Sequence, residues 1–451
     1  MNRTDNKLGT MPIGRLLVVM SIPMMISFFI QALYNIVDSM FVARISEDAL
    51  TAVSIAYPMQ QVITAIGVGT GVGVNALVPR YLGQNEPEQA KRIANIAVVL
   101  SLCYTAVFMI LGQTLVHTYY VLQTDVSSIV EAGTQYLTIV CTVCAGAFFG
   151  QNFEKLLVAT GNTICSMAAQ ASGAVFNLIF DPLLIFGIGP FPALGVRGAA
   201  IATVGGQIFA AIVALVLLLW KEKTIRLKLR YMRPRWSVVR DIYSIGIPSM
   251  LTVGLSSVMS FCINQILLGF STTATAVFGI WMKLQSFSYM PVFGLNNGTV
   301  PMIAYNYGAG SVDRVRRTIS LALKVALGLM LALVAVYECI PTVLLAMFSA
   351  SDHMLEIGVI ALRLSCLSLP FGAVCIILSS TQQSLGRGGS ALLINLFRQL
   401  IILVPAAWVL SLTGRLSLIW LSTLIAEIIS MGLAILLNRR IRTLLDGRLQ
   451  Q

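Results

Sequence analysis

Apolar runs of roughly 20 or more residues, each long enough to cross the ~30 Å hydrocarbon layer as a helix, recur along the chain between short polar breaks. The pattern predicts six spans near 14–42, 50–79, 93–118, 130–158, 165–188 and 197–220. Six more fall near 241–269, 274–305, 318–348, 355–384, 391–412 and 416–438. Lipid cannot satisfy backbone N–H and C=O groups, and the weaker alternation of barrel strands is absent, so the spans are expected to be helices. The expected fold is an all-α polytopic membrane protein with twelve transmembrane helices.

The polar breaks repeat. Ser21-Ile22-Pro23 matches Gly246-Ile247-Pro248, and Leu82-Gly83-Gln84 with Glu88 and Lys91-Arg92 matches Tyr307-Gly308-Ala309 with Asp313 and Arg316-Arg317 at the same spacing. Thr51-Ala52-Val53 against Thr275-Ala276-Val277, and Gly161 against Gly386, fall within one residue of it. Six spans per half is an even number, so both halves enter from the same side and the repeat is parallel, an arrangement used by transporters that alternate access between two bundles. The expected organisation is an N-lobe at 1–222, a basic linker at 223–240 and a C-lobe at 241–451.

Composition agrees: 57% of the 451 residues are hydrophobic and 11% charged, against roughly 25% charged in soluble domains. The net charge of +12 would suit nucleic acid, but the basic residues sit between apolar runs and not on one helical face, which argues against that partner. They fix sidedness instead. With the N-terminus cytoplasmic, the inside segments hold Arg3, Lys7, Arg15, Arg80, Lys91, Arg92, Arg314, Arg316, Arg317, Arg387, Arg439, Arg440 and Arg442, and Lys221 to Arg240 adds eight more. The outside segments hold Arg44, Arg197 and Arg415. Both termini are then cytoplasmic. The polar stretch Met1 to Gly14 runs straight into a full-length span and does not read as a cleavable signal.

A charge deep in a span costs a few kcal/mol, so each asks for a reason. Gln31, Tyr34, Asn35 and Asp38 share one face of the first helix, and Gln170, Asn177 and Asp181 share one face of the fifth. Two carboxylates of one half could thus meet in an outer cavity, taking a proton or, with Asn177, ligating sodium; the alternative is that each caps or packs near a helix end. Thr203 and Gln207 are one turn apart and reach the same cavity, or else bond helix to helix. Glu154 and Lys155 are expected at the inner surface, with the lysine snorkelling. In the second half Glu338 has Arg363 and Glu427 has Arg398 at similar depth, which predicts structural ion pairs, while Lys283 is either functional or a snorkelling lysine. Met24, Phe149, Phe153, Met282, Phe287 and Met290 could give an adaptable apolar wall, or simply pack.

Other motifs are silent. Gly67 to Asn75 lacks the spacing of a phosphate loop and suits close helix approach, and no Walker motif is present. Cys141 and Cys144 lack a histidine partner and are expected as buried thiols. No nucleophile with a base, and no metal cluster, suggests an enzyme.

With the repeat, YNIVDSMFVARI from Tyr34, NLIFDPLLIFG from Asn177 and GVRGAAIAT from Gly195, the chain resembles the multidrug and toxic compound extrusion (MATE) family over nearly its whole length. Acids in spans one and five, and none mid-span in seven, eight and ten, look like its bacterial DinF-like branch. The resemblance implies a bacterial plasma-membrane antiporter, without cofactor and expected as a monomer, that exports bulky cationic or amphipathic compounds against H+ or Na+. It places Asp38, Asn177, Asp181 and Thr203 in the cation-coupling site. Gln31, Tyr34, Asn35, Gln207, Met282, Lys283, Phe287 and Met290 are the expected substrate wall. A lipid-linked saccharide flippase of the same wider superfamily is the alternative.

Overall fold

The computed structural model describes residues 6–449 apart from 223, 234, 349 and 350. Arg3 and Lys223, counted above among the inside charges, lie outside the described residues, as do the side chains of Arg440 and Arg442. Six helices form the N-lobe: α1 (Ile13–Ala43), α2 (Glu47–Gly83), α3 (Pro87–Thr114), α4, α5 (Thr163–Phe186) and α6 (Val196–Lys221). The fourth is two segments, Ser127–Thr142 and Ala145–Ala159, bent by 45°. The C-lobe repeats the order with α7 (Trp236–Leu268), α8 (Thr272–Gly308), α9 (Val312–Cys339), α10, α11 and α12 (Leu421–Leu449). Helix α10 is again a bent pair, Asp352–Cys366 and Leu369–Ser384, at 44°. Helix α11 runs Gly388–Ser411 through a π-turn at Phe397–Ile401.

The repeat is visible in the caps. Ser46 starts α2 by accepting from Ala49 N–H at 3.0 Å, and Ser271 starts α8 by accepting from Ala274 N–H at 3.0 Å. Each satisfies one of the amide donors that a helix start leaves open. The shift of 225 residues that carries Ser46 onto Ser271 also carries Glu47–Gly83 onto Thr272–Gly308 and Pro87–Thr114 onto Val312–Cys339.

Small residues let the lobes touch. A Cβ on Gly69 of α2 would lie 2.8 Å from the Gly246 carbonyl of α7, and one on Gly246 would lie 2.9 Å from the Gly69 carbonyl. The mate of Gly69, Gly294 of α8, meets Met25 of α1, while Gly69 also meets Met250, the mate of Met25. Nearer the N-terminal end, a Cβ on Gly83 would collide with the Tyr305 carbonyl, and one on Gly308 with that of Arg80. Membrane helices gain no hydrophobic drive from each other, so approach at such residues carries their packing. The expectation that Gly67 to Asn75 serves close approach thus has its physical reason.

The short helix Lys7–Thr10 adds to this closed end. Asn306 Nδ2 donates to the Leu8 carbonyl at 3.0 Å, and Arg314 Nη2 donates to the Met11 carbonyl at 2.8 Å. On the N-lobe side Asn162 donates to Glu222, just past α6. Burial pushes the Glu222 carboxyl up to about 7, against the pull of Lys7 beside it. In the linker, Tyr231 Oη donates to Glu88 at 2.5 Å, which also accepts from Lys91 at 2.8 Å.

Apolar packing differs between lobes. Leu16, Leu17 and Met20 of α1 join one C-lobe core with Trp281, Val292, Met302, Met330 and Leu369. Two smaller C-lobe clusters form around Val315 and Ile394, and the N-lobe packs as two clusters, one around Val74, Ile96 and Leu156 that reaches Ile242 of α7, the other around Phe108, Tyr120, Tyr136 and Phe148.

Gly308→Val should open the sealed end, because its side chain has nowhere to go but into the Arg80 backbone. Spin labels at Glu86→Cys and Asp313→Cys, in a background lacking the native cysteines, should then report longer distances than with Gly308 intact. An unchanged distribution would count against this contact as the seal.

Candidate functional site

A cavity of about 760 Å³ lies within the N-lobe, walled by α1, α2, α4, α5 and α6. Its mouth is at the end opposite the N-terminus, where Ser39, Leu50, Ser54 and Tyr57 line it and are exposed. Two glycines bring α5 and α6 together beneath: a Cβ on Gly173 would sit 2.8 Å from the Gly206 carbonyl, and one on Gly206 would sit 2.9 Å from the Gly173 carbonyl. One turn further along α5, that approach places Asn177 beside Thr203.

Asn177, Asp181 and Thr203 are buried, at 3%, 1% and 6% exposure, and Asp38 reaches them from α1, its carboxyl within hydrogen-bonding range of that of Asp181. Asn177 donates to Asp181 Oδ2 and accepts from the Thr203 N–H at 3.1 Å, the one amide orientation that serves both partners. Oδ1 of Asp38, Oδ1 of Asp181 and Oγ1 of Thr203 are buried without a hydrogen-bond partner. Two adjoining carboxylates out of water cannot both stay charged unless a positive charge compensates them. A proton shared between them answers that demand, and so does a hard cation, for which a donor set of oxygens alone is suited. Around the pair stand Tyr34 and Tyr136, the latter accepting from Gln60 Nε2 at 2.9 Å. Among the described residues no three of His, Cys, Asp and Glu gather as a metal cluster.

The spacing arguments for α1, α5 and α6 thus find their residues in one place. Gln31, Tyr34, Asn35, Asp38, Asn177, Thr203 and Gln207 line the cavity, with Asp181 just behind. The C-lobe residues do not join them. Met282 packs against the C-lobe core, Phe287 sets its ring edge-on to Phe29 at 5.5 Å, Lys283 is exposed, and Met290 is likewise outside the lining. Met24 and Phe153 are buried in packing and Phe149 lies against the same core as Phe153, which is the packing alternative for these side chains. The expected C-lobe ion pairs are present: Arg363 Nε is 3.5 Å from Glu338, and Arg398 Nε bonds Glu427 while lying over the Tyr289 ring at 5.4 Å. Cys141 and Cys144 are buried free thiols, but Cys103 and Cys339 are exposed.

Glu154 and Lys155 correct the expectation of an inner surface pair. Glu154 lines the cavity and accepts from Gln170 Nε2 at 2.6 Å; Lys155 turns the other way and donates to Asn297 of α8. Sequence reasoning also passed over Gln60, Gln61 and Thr64 of the lining. They are polar at helical spacing within an apolar span, the same signal that found Asp38.

Two six-helix lobes, sealed together at one end with a deep polar cavity open at the other, define a membrane transporter and not an enzyme. The chain belongs to the MatE family, whose pattern matches residues 23–183 and 248–409. It is 30% identical over 407 residues to a FAD transporter of Shewanella oneidensis, covering 88% of each chain. It is 27% identical over 437 residues to the multidrug export protein MepA of Staphylococcus haemolyticus, covering 94% of this chain and 92% of that one. A solved MOP superfamily transporter from Pyrococcus furiosus shares the fold, with a TM-score of 0.90 over 98% of both chains at 24% identity.

If like charges are crowded at the pair, Asp181→Asn should stabilise the protein while keeping an acceptor for Asn177. In detergent at pH 8 the gain should be about 1–2 kcal/mol, read as a higher thermal midpoint. A lowered midpoint would show that the second carboxylate is structural.

Proposed function

We propose that the chain is a secondary antiporter that exports bulky cationic or amphipathic compounds in exchange for H+ or Na+, alternating between openings on the two sides of the membrane. The observation that carries this is the pairing of half-buried Asp38 with buried Asp181, with Asn177 and Thr203, beside a drug-sized cavity. Among the described residues no Lys, Arg or His lines that cavity. Pump and load share one space: a cation on the carboxylates and a cationic substrate in the cavity oppose each other, so arrival of one favours release of the other.

Several further assignments follow from this reading. The basic linker and the charge bias of the loops put the sealed end in the cytoplasm, so the state described is outward-open. The protein then spans a bacterial plasma membrane as a monomer, with both termini inside and lobes at 1–222 and 241–451 joined by 223–240. The MepA resemblance supports drug export. The flavin nucleotide handled by the Shewanella relative carries a pyrophosphate, for which a cavity whose charged lining residues are Asp38 and Glu154 has the wrong sign. A lipid-linked saccharide, the flippase alternative, carries the same anion and meets the same objection.

The test is uptake of cationic dyes into inverted vesicles under an imposed proton or sodium gradient. The wild type should concentrate dye, and Asp38→Asn and Asp181→Asn should each lose at least about tenfold, roughly 1.4 kcal/mol of coupling. Full gradient-driven transport in both variants would remove the pair from the mechanism, and no dye movement in the wild type would favour the flippase.

A further inference from the structure

The N-lobe cavity is acidic at two depths. Gln170 and Asp181 are eleven residues apart on α5, so the end held by Gln170 lies about 16 Å along the helix from the carboxylate pair. At that inner end stands Glu154, supplied by the second segment of α4 and fixed by the 2.6 Å bond from Gln170 Nε2. Glu154 is itself among the residues lining the space. Gln151, one turn before it, also lines the space, and its Oε1 is buried with no partner. The neighbouring cation does not occupy this corner: Lys155 packs its stem on Gly71 and gives its ammonium to Asn297 across the lobe boundary.

Between the two acidic depths the wall is small and smooth, formed by Gly146, Ala147, Gly150, Gly173, Ala174 and Gly206. An elongated apolar body fits against such a wall. A carboxylate at the closed end would orient a charged one, since a charged group on the ligand lowers its energy most where a countercharge waits in low dielectric.

We infer that Glu154, held by Gln170, is the specificity-determining residue of the cavity, recognising the positive group of the exported compound, and that it is distinct from the Asp38 and Asp181 pair, which takes the coupling ion. This deepens the antiporter reading and rests on it. A one-residue change of direction on α4 makes the assignment possible, with Glu154 facing the cavity and Lys155 the partner lobe.

The experiment compares two probes of nearly equal shape, the methyltriphenylphosphonium cation and neutral triphenylphosphine oxide, binding to purified full-length protein in detergent. The wild type should prefer the phosphonium. Glu154→Gln should weaken phosphonium binding tenfold or more and leave the oxide within about twofold, while Glu154→Asp, which keeps the charge, should retain the preference. Asp38→Asn should keep the preference. Equal loss of both probes in Glu154→Gln would reduce Glu154 to a packing role, and undiminished phosphonium binding would overturn the inference while leaving the antiporter reading intact. A wild type that does not discriminate between the probes would overturn the inference and leave the antiporter reading to the vesicle test.

Discussion

Hydrocarbon offers a protein neither hydrogen bonds nor a reason for its helices to cluster, and every contact in this chain answers to that constraint. Helices meet where side chains vanish. Gly69 against Gly246 draws α2 onto α7, and Gly83 and Gly308 against the opposite backbones draw α2 and α8 across one another at the N-terminal end. The repeat makes some of these contacts twofold: Gly83 on Tyr305 mirrors Gly308 on Arg80, and Gly69 on Met250 mirrors Gly294 on Met25. Helices pinned together at one end and bulky at the other splay apart, which leaves the opening where Ser39, Ser54 and Tyr57 are exposed.

Much of this was legible in the chain because it depends on local rules. Ser46 and Ser271 announce helix starts by their chemistry, and Asp38 and Asp181 announce a polar face by period. Other features depend on what lies across from a helix. Met24, Phe153 and Met282 looked like cavity wall because, in a membrane, the face toward a neighbouring helix and the face toward a greasy cavity have the same composition. Glu154 looked like a surface residue because depth was judged along its own helix; the Gln170 that holds it is on another one. The break in α10 has Pro370 at the second position of its second segment, a signal visible in the chain, whereas the break in α4 between Thr142 and Ala145 has no proline beside it and nothing flagged it.

The halves share a scaffold and not a chemistry. Moving by the repeat of 225 residues, Asp38 lands on Ile263, Asn177 on Ile402, Asp181 on Ala406 and Thr203 on Ile428. Each polar group of the site is an apolar side chain in the other lobe, and Ile263 is buried in its core. Where the N-lobe is hollow the C-lobe is filled. Its two mid-span acids each have a basic partner, Glu338 with Arg363 and Glu427 with Arg398, and so make no demand for an ion from outside.

A site confined to one lobe must still act on the contact between lobes if ion binding is to drive a change of access, and α1 offers the route. Asp38 lies toward the outer end of that helix. Thirteen residues back, about 20 Å along the axis, Met25 is in contact with Gly294 of α8, and one turn further Ser21 donates to the Leu295 carbonyl at 3.5 Å. Its inner turns, Leu16, Leu17 and Met20, are packed in the core of the C-lobe. Helix α1 therefore belongs to the N-lobe by its charge and to the C-lobe by its packing. Any shift that a proton or sodium ion imposes on Asp38 is borne by a helix whose other end is held by the opposite bundle. Between the two, Pro23 interrupts the backbone hydrogen bonds of α1 and lowers its resistance to bending at the boundary. In the proposed cycle the hollow lobe senses the ion and the filled lobe gives it something rigid to move against.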